Sequence, residues 1–176
     1  MFADLKQHHI GCLVTSIEDF KSENSEVWNE DKYSQIFMIS SQDVKVCFLQ
    51  MSTDTVLELV EPGSGNQPLA KLLTKGNTYY HIGFISNTYD QSVEMLIKSS
   101  FRQLSEFKSE AFNGKRCTFF YHPQIRLIEL IENWRTDLDQ FSNSWTLNKQ
   151  RKDAVQFFSI SYFFPGSYIH LFPATP

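Results

Sequence analysis

Cysteine is scarce in this chain of 176 residues: Cys12, Cys47 and Cys117 make an odd count, and each sits inside an apolar run. That excludes a disulfide framework and points to buried free thiols in a reducing compartment. Basic blocks are missing as well. Sixteen Lys and Arg stand against twenty Asp and Glu, a formal charge of −4, and no cluster could track a phosphate backbone. A nucleic-acid partner is therefore excluded. No apolar stretch reaches the length of a membrane helix, and the opening "MFADLKQHH" lacks a basic segment running into an apolar one. The expectation is a cytoplasmic chain with no membrane partner, long enough for one compact domain or two closely packed halves.

What the chain does contain is an echo. "HHIGCL" begins at His8 and "YYHIGF" at Tyr79, so His9 and His81 open two apolar stretches 72 positions apart. "LELVEP" and "IELIEN" close the two stretches, and Glu58 and Glu129 stand 71 positions apart. Opening and closing phrases recur in order with nearly one offset, which predicts a duplicated unit. In the first unit, "IGCLV" is followed by a helix from a Ser16 cap to about Trp28, then strands at 36–40, 44–50 and 56–60. The second unit predicts the same order, with a helix over 90–100 and strands at 101–107, 116–121 and 125–131. Asn113-Gly114 is a turn signal in this half. Between the units, the segment from Pro62 to Pro68 is irregular, and "LAKLLTK" reads as one or two helical turns.

Alternation along a strand decides which side chains share a face. Glu58 shares its face with Val56 and Val60, an expensive place for a carboxylate unless something compensates its charge. The second half repeats the problem, and a histidine stands on the opening strand of each. One divalent cation held by His9, Glu58, His81 and Glu129 would answer both burials. Two imidazoles and two carboxylates suit a six-coordinate ion and leave two positions open, as a catalytic metal requires. His8 falls on the opposite face by alternation, which gives it a supporting or surface role.

The repeated strand-helix-three-strand unit resembles the vicinal oxygen chelate superfamily of glyoxalases, extradiol dioxygenases, bleomycin-resistance proteins and methylmalonyl-CoA epimerases. The likeness runs from about Gln7 to Glu132. "VCFLQ", "LELVEPGSGNQPLAKLLTKGNTYYHIGF", "NGKRCTFFYHP" and "LIELIE" follow the motifs of the epimerase branch in order. The resemblance implies an α+β fold in which two tandem βαβββ modules form a cupped, largely antiparallel eight-stranded sheet followed by a C-terminal extension. The first module spans 6–61, a linker 62–78, the second module 79–133 and the extension 134–176. It also implies that His9, Glu58, His81 and Glu129 are the metal ligands, although epimerases often carry glutamine where Glu58 stands. Such a metal (cobalt, nickel, zinc, manganese or magnesium) would stabilise the enolate of a substrate that chelates it through two oxygens, an acyl-CoA or other thioester among them.

For an epimerase, the resemblance implies two carboxylates, Glu129 and one from the third-strand region of the first half. Here the chain departs from the family, because from Gln35 to Gln42 there is no Asp or Glu. Asp43 reads as a turn residue, and Glu30 and Asp31 as solvated helix-end charges. One base suits a lyase, an isomerase or a one-sided proton transfer, with Glu129 as the catalytic residue. The rival expectation is a binding protein of the bleomycin-resistance type; an extradiol dioxygenase resembles a site of fewer ligands, two His and one Glu, and would leave Glu58 or another residue silent. Residues 134–176 carry no motif. Their aromatic run with Pro165-Gly166 predicts a hairpin that packs on the domain or on a second copy, or lines an acyl pocket with His170. Paired modules of this kind join within one chain or across a homodimer, and both assemblies are kept.

Overall fold

The computed structural model describes residues 5–133, in eight strands and three helices with three short 3₁₀ turns. Strands β1 (Leu5–Leu13), β2 (Phe37–Ile39), β3 (Val44–Ser52) and β4 (Thr55–Pro62) form the first half with helix α1 (Ile17–Glu23). Helix α2 (Gln67–Thr74) lies between the halves. Strands β5 (Tyr79–Ser86), β6 (Arg102–Ser109), β7 (Lys115–His122) and β8 (Arg126–Glu132) form the second half with helix α3 (Tyr89–Lys98). The hairpin and His170 expected in the C-terminal extension lie outside the described residues.

All eight strands belong to one sheet in the order β2-β3-β4-β1-β5-β8-β7-β6. The halves meet at the antiparallel pair β1–β5, and each half closes on itself with a parallel pair, β1–β4 and β5–β8. The sheet is thus mixed, with the remaining pairs antiparallel as expected. At its far ends the 3₁₀ turn Glu110–Phe112 packs against β2, so the sheet is curled.

Local signals explain the elements. The Ser16 hydroxyl accepts a hydrogen bond from the Asp19 N–H and starts α1. That helix ends at Glu23 rather than near Trp28, because the N–H groups of Val27 and Trp28 bond to Asn24 in a turn. Trp28 still stacks on Phe20 of the helix at 6.4 Å. Asn66 caps α2 through the Leu69 N–H, with Pro68 in the first turn, where a missing N–H costs nothing. Asn113 and Gly114 both take positive φ, 53° and 74°, as a tight reversal between β6 and β7 demands.

Alternation sorts the strands into two faces. On the helix side of the first half, Cys12, Cys47, Leu49, Leu57 and Leu59 pack with Ile17 and Tyr33. In the second half, Phe120, Ile128 and Leu130 pack with Tyr89 and Leu96 of α3. Glu58 and Glu129, one residue out of phase, face the other side. All three cysteines are buried free thiols. Leu59 is fully buried, so Leu59→Ala is expected to lower the unfolding free energy by about 2–5 kcal/mol in urea titrations. A change within error would show that this cluster does not carry the first half.

Candidate metal centre

Two rows of directly opposed residues cross the middle of the sheet. One runs Phe48, Glu58, Gly11, His81 through β3, β4, β1 and β5. The other runs Phe119, Glu129, Gly83, His9 through β7, β8, β5 and β1. Opposed residues share a face, so both carboxylates and both imidazoles emerge on the concave side, away from the helices.

The glycines explain how they converge. A Cβ on Gly11 would lie 2.1 Å from Cε1 of His81, and one on Gly83 would lie 2.2 Å from Cε1 of His9. Each imidazole is therefore laid over the glycine of the opposite His-Ile-Gly motif, toward the carboxylate beyond it. His9 Nε2 lies 2.8 Å from His81 Nε2 and 3.4 and 3.2 Å from the Oε2 atoms of Glu58 and Glu129. His81 Nε2 lies 3.3 and 3.7 Å from the same two oxygens. These are the four residues that the repeat singled out, and among the described residues they form the one group of this kind that could hold a metal ion.

Burial sets the electrostatics. His9, Glu58, His81 and Glu129 expose 1, 6, 3 and 3 % of their surface. Loss of solvent lowers His9 from 6.5 to about 4, with the Glu58 charge opposing and His81 reinforcing the shift, so the ring is neutral and has a lone pair to give. Burial pushes the Glu129 carboxyl up, moderated by His81 and by a hydrogen bond from Cys117. Burial likewise raises the Cys117 thiol, which stays protonated as that donor. Glu129 Oε2 and His81 Nδ1 are buried without a hydrogen-bond partner.

A divalent cation fits this arrangement. An oxygen aimed into the cluster and left without a hydrogen bond is a ligand atom in waiting, since native folds rarely orphan such a group. The donor set is two imidazole nitrogens and two carboxylate oxygens, suited to zinc and its first-row neighbours. Adjacent ligands at about 2.1 Å from one ion stand roughly 3 Å apart, close to the spacings seen here.

The structure corrects one expectation. His8 does not point to the opposite face. The β1–β5 pairing slips between Gln7 and His9, leaving His8 as an extra, bulged residue whose Nδ1 lies 2.9 Å from His9 Nδ1. Its ring also meets Phe48 and Phe112 edge-on. A second slip leaves Tyr80 extra, with its ring perpendicular to His81 at 4.4 Å. Burial and the nearby charges of Glu58 and Glu129 hold the Tyr80 phenol well above its ordinary range. Sequence reading also missed Phe112, which stacks on His9 from the far end of the curled sheet.

Two of the acids near the empty stretch from Gln35 to Gln42 are engaged elsewhere. Asp43, in a left-handed turn, accepts from the Gly65 N–H, and Glu30 pairs with Lys21. Neither joins the cluster.

The model of the glyoxalase/bleomycin resistance protein/dioxygenase superfamily matches residues 8–121. The chain belongs to this superfamily. Among solved structures, a hypothetical protein of Bacillus halodurans is similar at 25% identity and TM-score 0.60, over 74% of this chain and 95% of its own. Methylmalonyl-CoA epimerase of Mycobacterium tuberculosis shares the fold at 18% identity and TM-score 0.59, over 73% of this chain and 87% of its own. The Streptomyces coelicolor enzyme of that name, in complex with 2-nitronate-propionyl-CoA, does so at 21% and 0.61, over 74% and 98%. No curated protein matches. No helix among the described residues is long and apolar enough to cross a membrane.

Two outcomes follow. Gly83→Ala is expected to displace the His9 ring and weaken zinc binding at least about tenfold by calorimetric titration, with an unchanged affinity showing that the ring need not lie over the glycine. The metal-free chain should also lose stability in acid. His8 and His9 fall from 6.5 to about 3 and about 4 on folding, so the unfolded state binds protons first as pH drops below 6.5. Their contribution is complete above 6.5 and lost toward 4; the raised Glu129 works in the opposite sense, as one group against two. A melting temperature that stays flat or rises between about pH 7 and about pH 4.5 would contradict this balance.

Proposed function

We infer that the chain is a divalent-metal-dependent enzyme of the glyoxalase/methylmalonyl-CoA epimerase type, acting as an isomerase or lyase on a substrate that presents two neighbouring oxygens. The observation that carries this reading is the convergence of His9, Glu58, His81 and Glu129 with an unsatisfied carboxylate oxygen at the centre. Bound there, a divalent ion would supply Lewis-acid stabilisation to an oxyanion on the substrate.

The remaining work falls to the chain's own side chains. Glu129 is the proton acceptor: the carbon–hydrogen bond breaks, its proton passes to the carboxylate, and the electron pair stays on the substrate as an enolate. Burial favours that proton on Glu129. Phe48, Phe112 and Phe119 flank the imidazoles and keep water from the enolate. Among the described residues the cluster holds no acid beyond Glu58 and Glu129; with Glu129 alone carrying it, the proton leaves and returns on one side. Acyl-CoA substrates are the first class to try, on the likeness to the epimerases.

Metal-replete protein incubated with methylmalonyl-CoA in deuterated water is expected to incorporate label at the carbon between the two carbonyls. Glu129→Ala should lose both the label and the metal, and Glu129→Gln the label chiefly. Retention of full metal content in Glu129→Ala would overturn the ligand assignment. Absence of label above the uncatalysed rate, with metal bound, would turn the reading toward another chelating carbonyl compound or a non-catalytic binder.

A further inference from the structure

The two halves supply identical ligands but unlike supports. His9 Nδ1 lies 2.9 Å from His8 Nδ1, whereas His81 Nδ1 is buried without a hydrogen bond. The position before His81 is Tyr80, whose ring packs edge-on against the imidazole instead. We propose that His8 is a positioning residue: its Nδ1 accepts a hydrogen bond from His9 Nδ1–H and so fixes His9 in the tautomer whose Nε2 lone pair faces Glu58, Glu129 and His81. This inference rests on the metal-centre reading above.

The geometry leaves few alternatives. A neutral imidazole has one donor and one acceptor nitrogen, so of two Nδ1 atoms in hydrogen-bond contact one donates and the other accepts. If His9 Nε2 is to give its lone pair to a cation, its proton sits on Nδ1, and His8 must accept there with its own proton on Nε2. Partners of this kind hold a ligating ring in orientation and raise its basicity. The contact exists because β1 carries one extra residue. Without the slip between Gln7 and His9, alternation would send the His8 side chain to the helix face. Phe48 and Phe112, whose ring centroids lie 5.9 and 5.4 Å from that of His8, pack against it edge-on. His9 is therefore an oriented ligand, and His81 one held by packing against Tyr80 and Phe119.

The test compares the parent chain with His8→Phe, which fills the space but cannot accept, and His8→Asn, whose side-chain carbonyl can. Zinc affinity is measured by calorimetry on metal-free protein, and the protonated nitrogen of His9 is read from long-range proton–nitrogen correlation spectra of the zinc-loaded form. The parent should show a slowly exchanging proton on His9 Nδ1. His8→Phe should bind zinc roughly 10–100-fold more weakly and exchange that proton faster, and His8→Asn should recover most of both. Equal affinity and an unaltered His9 signal in a folded His8→Phe would overturn the positioning role alone. Equal losses in both variants would do the same, by reducing His8 to packing. Should His8→Phe not fold, the parent spectrum decides, since a proton on His9 Nε2 is incompatible with the proposal. A parent chain that binds no zinc, or an undiminished affinity in His81→Ala, brings down the metal-centre reading and this inference with it.

Discussion

Two imidazoles and two carboxylates on one dry face of a sheet are the constraint around which this molecule is arranged. Charged groups so deeply buried are tolerated only with compensation, and here they compensate one another or share a cation. Neither half can build the pair it needs. His9 reaches its position by lying over Gly83, and His81 by lying over Gly11, so each ring depends on a backbone that belongs to the other half. The antiparallel β1–β5 pair is therefore both the joint of the sheet and the place where the centre is assembled. Once that pair forms, the parallel partners β4 and β8 bring Glu58 and Glu129 into register beside the glycines.

Much of this was legible from the repeat. His9, Glu58, His81 and Glu129 were identifiable because the same residue types recur at one offset, and strand alternation correctly set Leu57 and Leu59 against α1 while turning Glu58 away. The His-Ile-Gly echo was visible too, but the purpose of its glycine was not. That purpose lies in the approach of a ring from a strand 70 residues distant in sequence. The same limit explains His8. A bulge is a property of how two strands pair, and nothing in "KQHHIG" marks which residue will be the extra one. The early end of α1 is a milder instance, since the polar stretch after Asn24 closes as a turn while Trp28 keeps the packing that its place in the pattern predicted.

Departure from symmetry says more about chemistry than symmetry does. With the offset of 71 that relates the two glutamates, Cys117 corresponds to Val46. The pairings agree, Cys117 with Ile131 and Val46 with Val60. Glu129 is thus influenced by a thiol where Glu58 has only a valine in the corresponding place. A sequence that shows three cysteines in apolar runs invites the conclusion that all are inert, and by reactivity they are, because burial holds the Cys117 thiol protonated. A protonated thiol nevertheless acts on a neighbouring carboxyl, and this one opposes the upward push of burial on Glu129.

The imidazoles differ in the same sense, because the position before each ligand is histidine in one half and tyrosine in the other. A duplicated frame would supply equal ligands, and equal ligands alone would leave the two faces of a bound substrate equivalent. The unequal groups behind them remove that equivalence: a thiol acting on Glu129, a nitrogen partner on His9 and a phenol beside His81. On the proposed function, this is what makes Glu129 rather than Glu58 the residue that moves the proton. It also fits the acid-free stretch from Gln35 to Gln42, where Asp43 is tied to Gly65 and Glu30 to Lys21. A centre that distinguishes its two carboxylates through their surroundings has no need of a third to define the direction of transfer.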